Sequence, residues 1–225
     1  MQRFINGLFR FQEEYYPANK QLFQTLASGQ SPEVLFITCA DSRVVPSLIT
    51  QSKPGDLFIC RNAGNIVPTY GEAMGGVSAT IEYAVMALGV KHIVICGHSD
   101  CGAMKGVLHP ENVKALPVVA SWLGRGETAR RVVLENYPGL PEARQLELVT
   151  QENVLAQLDN LRTHPSVAAR LTGGELKLHG WIYHIESGHV DAYYAREGRF
   201  IRLTKDLARM PDATPPARLR AAEVA

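Results

Sequence analysis

Cys39 opens the segment CADSR, and His98 and Cys101 close the segment HSDC; together these two short stretches carry the residue types of a zinc site. Two thiols and one imidazole make three protein ligands, with Asp41 or a solvent molecule left for the fourth position. That position separates two chemistries. Structural zinc is closed by four Cys or His ligands, whereas three ligands and an exchangeable group make a catalytic centre. A zinc ribbon would need closely paired cysteines, and the chain has no CxxC. In a catalytic centre the ion acidifies water enough to supply hydroxide near neutral pH. Two thiolates cancel its formal charge, so the water is less acidified than on three imidazoles, and activity is expected to rise toward alkaline pH.

Side chains of an extended segment alternate faces, so Cys39, Asp41 and Arg43 project to one side. As a carboxylate, Asp41 can accept the O–H of an attacking nucleophile and aim it. Arg43 favours the ionised carboxylate and, by competing for it, holds Asp41 off the metal. Asp41 therefore has two expected places, on zinc or on Arg43. The bland alternatives are two buried thiols near a core histidine and an ordinary surface ion pair.

Such ligands need elements that bring residues 39 and 98 together. EVLFIT (33–38), DLFIC (56–60) and HIVICG (92–97) are near-continuous apolar runs, the pattern of strands covered on both faces. GGVSATIEYAVMALG lies between the last two and reads as a helix entered at Gly75 and Gly76 and closed by Gly89. Strand, helix, strand in that order implies a right-handed crossover and a parallel sheet, whose carboxyl edge is where such folds place their sites. Residues 117–136 and 142–162 are further helices, the second with Leu146, Val149, Leu155, Leu158 and Leu161 on one stripe. ELKLHGWIYHI and HVDAYY supply one or two later strands around a turn at Ser187–Gly188. The fold class expected is α/β: a single domain with a central, mostly parallel β-sheet flanked by helices, spanning 1–210, with a Pro- and Ala-rich disordered tail over 211–225.

Residues 1–28 form a leading helical arm in which Phe4, Leu8, Phe11 and Tyr15 recur at three- and four-residue intervals and Pro17 divides two helices. Its aromatic stripe either caps its own core or lies across a partner subunit. Lys plus Arg number 23 against 22 Asp plus Glu, so the net charge of +1 supplies no global field for nucleic acid or an anionic membrane. No run approaches the length of a membrane span, and the N-terminus lacks the apolar core of a signal peptide. The expectation is a cytoplasmic protein with reduced thiols, in which Cys60 and Cys96 are packing residues.

CADSRVVP, RNAGNIVP, GGVSATIEYAV, HSDCGAMKG and HGWIYHIESG, in this order, resemble the β-class carbonic anhydrases over about residues 1–205. The resemblance implies reversible hydration of carbon dioxide to bicarbonate, one Zn²⁺ per chain on Cys39, His98 and Cys101, and an Asp41–Arg43 pair that gates the metal. It implies a homodimer built on exchanged N-terminal arms, or a higher homo-oligomer. Residue by residue, Gln30 matches a substrate-orienting glutamine, Phe58 and Tyr83 match pocket residues, and the Gly102 amide matches a pocket donor. Some bacterial members bind inhibitory bicarbonate through Trp, Arg and Tyr; here those positions are Phe36, Arg61 and Tyr183, so the open state of Asp41 and weak bicarbonate control are expected. Other readings of the same scaffold are a carbon disulfide or carbonyl sulfide hydrolase and a non-catalytic zinc-stabilised oligomeric module. The remaining histidines carry no assignment.

Overall fold

The computed structural model describes residues 1–72 and 74–207, which fall into two compact units, Met1–Ser31 and the body from Pro32 onward. The tail expected over 211–225 lies outside the described residues. The arm comprises α1 (Gln2–Arg10), a wider π-helical stretch over Phe11–Tyr15, the short α2 (Tyr16–Ala18) and α3 (Lys20–Leu26). The break expected at Pro17 falls instead at Asn19, where φ is −118°. Pro17 sits in the first turn of α2, where its missing N–H costs nothing, so the helix runs past it. No arm helix buries a residue.

In the body follow β1 (Val34–Cys39), α4 (Pro46–Thr50), β2 (Leu57–Asn62), α5 (Gly76–Glu82), β3 (His92–His98), α6 (Gly102–Leu108), α7 (Pro117–Leu123), α8 (Glu127–Asn136), α9 (Glu142–Thr163), α10 (Pro165–Thr172), β4 (Lys177–Tyr183), β5 (Val190–Tyr194) and β6 (Arg199–Arg202). The expected helix over 117–136 is two, because a 3₁₀ turn at Gly124–Gly126 separates them. Three late strands, not one or two, complete one sheet of order β2-β1-β3-β4-β5-β6. The first four strands are parallel to one another, and β5 and β6 add antiparallel.

The strand order contains a reversal that the run of elements did not disclose. From β1 the chain goes to β2 on one side and then returns to β3 on the other, so the carboxyl ends of β1 and β3 flank a crevice. Open α/β sheets bind ligands at this switch point, because the loops leaving adjacent strands diverge there.

One face of the sheet packs Leu35, Ile37, Ile93, Ile95, Leu178 and Ile182 against Ile81, Val154, Leu158, Leu161 and Val167 of α5, α9 and α10. Close approach of α9 depends on Gly97 and Gly180, where a Cβ would stand 3.0 Å from Val154. A second cluster joins Met104, Val107, Leu123, Val133 and Val149 to Cys39 and Cys101. The corner that carries Cys39 and Cys101 is thus set into a helical core. On the opposite face Phe36, Val94 and Cys96 pack with Val34, Trp181 and Tyr183.

Candidate metal centre

Cys39 is the last residue of β1 and His98 the last of β3, so both stand at the switch point. Cys101 follows on the tight turn that leads into α6, with Asp100 in the left-handed region at φ +55°. The Cys39 and Cys101 sulfurs are 3.9 Å apart. Tetrahedral zinc with Zn–S bonds near 2.3 Å separates two thiolates by about 3.8 Å, so the pair stands at a coordination distance. All three ligand atoms lie within 4.8 Å of one another, and all three residues are buried.

The imidazole is oriented for the same purpose. His98 Nδ1 lies 2.9 Å from the Ser99 carbonyl and donates to it, which leaves the Nε2 lone pair free. Nε2 is fully buried and has no hydrogen-bond partner among the described residues. An orphaned acceptor aimed at two thiols is what a metal would satisfy, so these residues fit zinc on their own geometry.

Electrostatics agree. The Cys101 thiol and the Gly64 N–H, 3.4 Å from its sulfur, hold Cys39 well below the ordinary thiol range. The Cys39 charge together with burial pushes Cys101 up. Two thiolates this close repel one another, and a divalent ion bound between them would remove that conflict by taking both as ligands. Cys96, by contrast, is fully buried and pushed up to about 12 by desolvation, as a packing thiol should be.

Asp41 stands on Arg43. Its Oδ1 accepts from the Arg43 N–H at 2.9 Å and from Nε at 3.0 Å, and Oδ2 accepts from Nη2 at 2.8 Å. This fork holds the Asp41 carboxyl well below the usual carboxylate range. Oδ2 is nonetheless only 3.9 Å from His98 Nε2, so the carboxylate borders the ligand group without joining it. Of the two places expected for Asp41, the structure holds the one off the metal position.

Two of the site's three supports, Asp100 and Gly64, were not singled out beforehand, and the third, Arg61, was named only as a position of a bicarbonate site. Asp100 takes Arg43 Nη1 on its carboxylate and Arg43 Nη2 on its carbonyl, both at 3.1 Å, and is itself paired with Lys105. Its signal was an acidic residue between two ligands. Arg61 donates from Nε to the Cys39 carbonyl at 3.1 Å and from Nη2 to the Asp41 carbonyl, so it shapes the CADSR turn rather than standing free for an anion. Gly64, at φ +79°, brings its N–H to Cys39 and leaves no room for a Cβ, which would meet Met104 Cε at 2.9 Å. Its carbonyl accepts from buried Asn153 at 3.0 Å, and the neighbouring Ala63 carbonyl from Trp122 at 2.8 Å.

The substrate-binding positions divide. Gly102, beside Cys101, opens α6 at the centre. Phe58 and Tyr83 touch one another, ring centroids 6.0 Å apart, but at the other end of the sheet. Phe58 lies four residues before Asn62, the register partner of Cys39, a strand distance of about 13 Å. One chain therefore does not bring these two to its own metal corner. Gln30 lies exposed in the segment that closes the arm unit.

Comparison with known proteins follows the same lines. The carbonic anhydrase family model matches residues 34–190. A carbonic anhydrase of Pseudomonas aeruginosa is 53% identical over 205 residues, covering 91% of this chain and 93% of that protein. One from Synechocystis is 53% identical over 194 residues, covering 86% of this chain and 71% of the relative. Among solved structures, the β-carbonic anhydrase CcaA superposes with a TM-score of 0.89 at 50% identity, covering 91% of this chain and 92% of its own. A tetrameric β-carbonic anhydrase from Sordaria macrospora gives 0.77 at 32% identity, with 85% and 95% covered.

Proposed function

We infer that this chain, which belongs to the β-class carbonic anhydrases and so catalyses the zinc-dependent, reversible hydration of carbon dioxide, holds its one zinc ion with Cys39, His98 and Cys101. The observation that carries the assignment is the buried, unpartnered Nε2 of His98 facing two thiols at zinc spacing. Zinc bound there would acidify water and so supply hydroxide, less readily than a centre of three imidazoles because two thiolates cancel its formal charge.

The residues of the chain do the rest. Asp41, kept ionised by Arg43, is an acceptor only, so it takes the O–H of the attacking oxygen and turns a lone pair toward carbon dioxide. Arg43 keeps Asp41 from becoming a fourth ligand, and Asp100 anchors Arg43 from the loop that also carries His98 and Cys101. The Gly64 N–H stabilises the Cys39 thiolate. Gly102 offers its amide to the substrate oxygen.

Gln30, Phe58 and Tyr83 complete a substrate pocket in a second copy of the chain, since Phe58 and Tyr83 lie at the far end of the sheet from their own Cys39. This reading favours a homodimer or higher homo-oligomer. The arm supports it: Phe4, Leu8 and Phe9 are 65%, 54% and 51% exposed, an apolar surface that a partner would cover. The Sordaria macrospora relative is described as tetrameric. No helix of the described residues is long and apolar enough to cross a membrane. All four cysteines are free, and thiols required as ligands are maintained by the reducing cytoplasm, where we place the protein.

The test is zinc content and stopped-flow hydration of carbon dioxide for wild type, Asp41→Asn and Cys101→Ser. Equal hydration by all three would show the site to be misassigned.

A further inference from the structure

A second group of ligating side chains, remote in character from the metal corner, gathers on the hairpin joining β4 to β5. His184 and His189 close that hairpin, with the His184 N–H donating to the His189 carbonyl at 2.9 Å and the Gly188 N–H to the His184 carbonyl at 2.8 Å. Residues directly opposite in an antiparallel pair share a face, and Asp191, two further along β5, shares it too. The rings of His184 and His189 stack at 4.2 Å with 22° between their planes, so one ring has to turn for both in-plane Nε2 lone pairs to meet on one ion. His184 Nε2 is 2.8 Å from Asp191 Oδ2, and His189 Nε2 is 3.7 Å from Asp191 Oδ1. Zinc bonds of about 2.0–2.1 Å to nitrogen and oxygen separate tetrahedral ligands by about 3.4 Å, a value these two distances bracket. All three side chains are partly exposed, at 21%, 28% and 20%, so an ion can reach them from solvent.

We propose that His184, His189 and Asp191 form a second binding site, for a divalent transition metal of the zinc, nickel or copper type. Two imidazoles and one carboxylate suit such ions, whereas calcium and magnesium require mostly oxygen ligands. Desolvation, then the nearby His184 and Arg202, lower the affinity of His189 for a second proton, which leaves it in the neutral form that ligates.

Two neighbours set how tightly the site binds. Arg202 Nη2 and Ser187 Oγ both contact His189 Nδ1. In the structure as it stands Nδ1 accepts from Arg202, so the ring proton resides on Nε2, facing Asp191. A metal on Nε2 needs that lone pair. The proton then moves to Nδ1, where it is donated to Ser187, and Arg202, whose N–H can no longer be accepted, withdraws. His184 makes the same tautomer change, and neither ring gains or loses a proton overall. Arg202 is therefore a resident competitor and Ser187 an orienting partner of the ligand.

The test is calorimetric titration of the zinc-loaded protein, holding one zinc per chain, with zinc chloride, checked by metal content after equilibrium dialysis. The expected result is a second zinc per chain, bound below about 0.1 mM. His189→Ala and Asp191→Asn should weaken it at least about tenfold, and Ser187→Ala about tenfold, while the first zinc and the hydration rate are retained. Arg202→Gln should tighten it several-fold. Cys101→Ser, which removes the catalytic zinc, should keep the hairpin zinc, so failure of one assignment is distinguishable from failure of the other. No second zinc below about 0.1 mM, or a second zinc undisturbed in a His184→Ala/His189→Ala variant, would overturn the proposal. An unchanged affinity in Arg202→Gln would overturn the competitor role.

Discussion

The metal corner and the hairpin triad offer the same number of ligand atoms at similar spacing, yet they differ in the protein partners those atoms have. At the corner, His98 Nε2 is buried with no hydrogen-bond partner among the described residues, and the two sulfurs stand 3.9 Å apart. A buried polar atom without a protein partner costs about 1–3 kcal/mol, a cost that a metal ligated there would remove. At the hairpin, every ligating group already has a protein partner: Asp191 for His184, and Ser187 and Arg202 for His189. The difference separates a site that needs its metal from one that merely accepts it. Burial and frustration, more than ligand count, mark the catalytic centre.

Substitutions can break that contrast. The largest effect is expected for Cys101→Ser, which should lose the catalytic zinc and at least about 10³-fold of hydration activity even when the hairpin is loaded. Activity surviving with only the hairpin zinc, measured by stopped flow beside metal analysis, would erase the distinction. Asp41→Asn should keep zinc and lose about 10²-fold in kcat, because a neutral amide can present an N–H to the nucleophile where a carboxylate only accepts. Gly64→Ala should cost about 2 kcal/mol in urea unfolding, combining positive φ with the clash on Met104. An unaffected midpoint would mean that the corner is not held rigid by its surroundings. Asp100→Asn should lower hydration about tenfold by loosening Arg43, with zinc content unchanged. Smallest of all, His189→Ala should leave hydration within about twofold, as a surface substitution away from the reaction does.

The parts of the molecule that could be read from the chain are those in which chemistry and periodicity coincide locally. Apolar runs ending at Cys39 and His98 became β1 and β3 within a residue of their expected bounds, because strands buried on both faces need such runs. The Asp41–Arg43 spacing foretold an arginine paired with the carboxylate. What stayed hidden was decided by tertiary context. The reversal of strand order at β1 arises from which edge β3 joins, and no local pattern encodes it. Four residues, RFIR, are too short to announce β6, which pairs through its neighbour β5. Asp100 became an anchor for Arg43 only because φ +55° folds its carbonyl and carboxylate toward the same guanidinium. Phe58 and Tyr83 matched pocket residues by motif, but the register of β1 with β2 places Phe58, against whose ring Tyr83 packs, about 13 Å along the strand from Cys39.

Placing the ligands on two strands that flank a crossover has a consequence for how the protein is made. During synthesis Cys39 emerges long before His98 and Cys101, and it gains its partners only when β3 docks alongside β1. That pairing closes a long loop and is among the slower events in assembling a parallel sheet. Tight zinc capture is therefore coupled to completion of the central strands, and a nascent chain stalled before residue 101 has no finished trap for the ion. Zinc held by these three residues would add its binding free energy to the docked strands, because the unfolded chain has no preformed site for it.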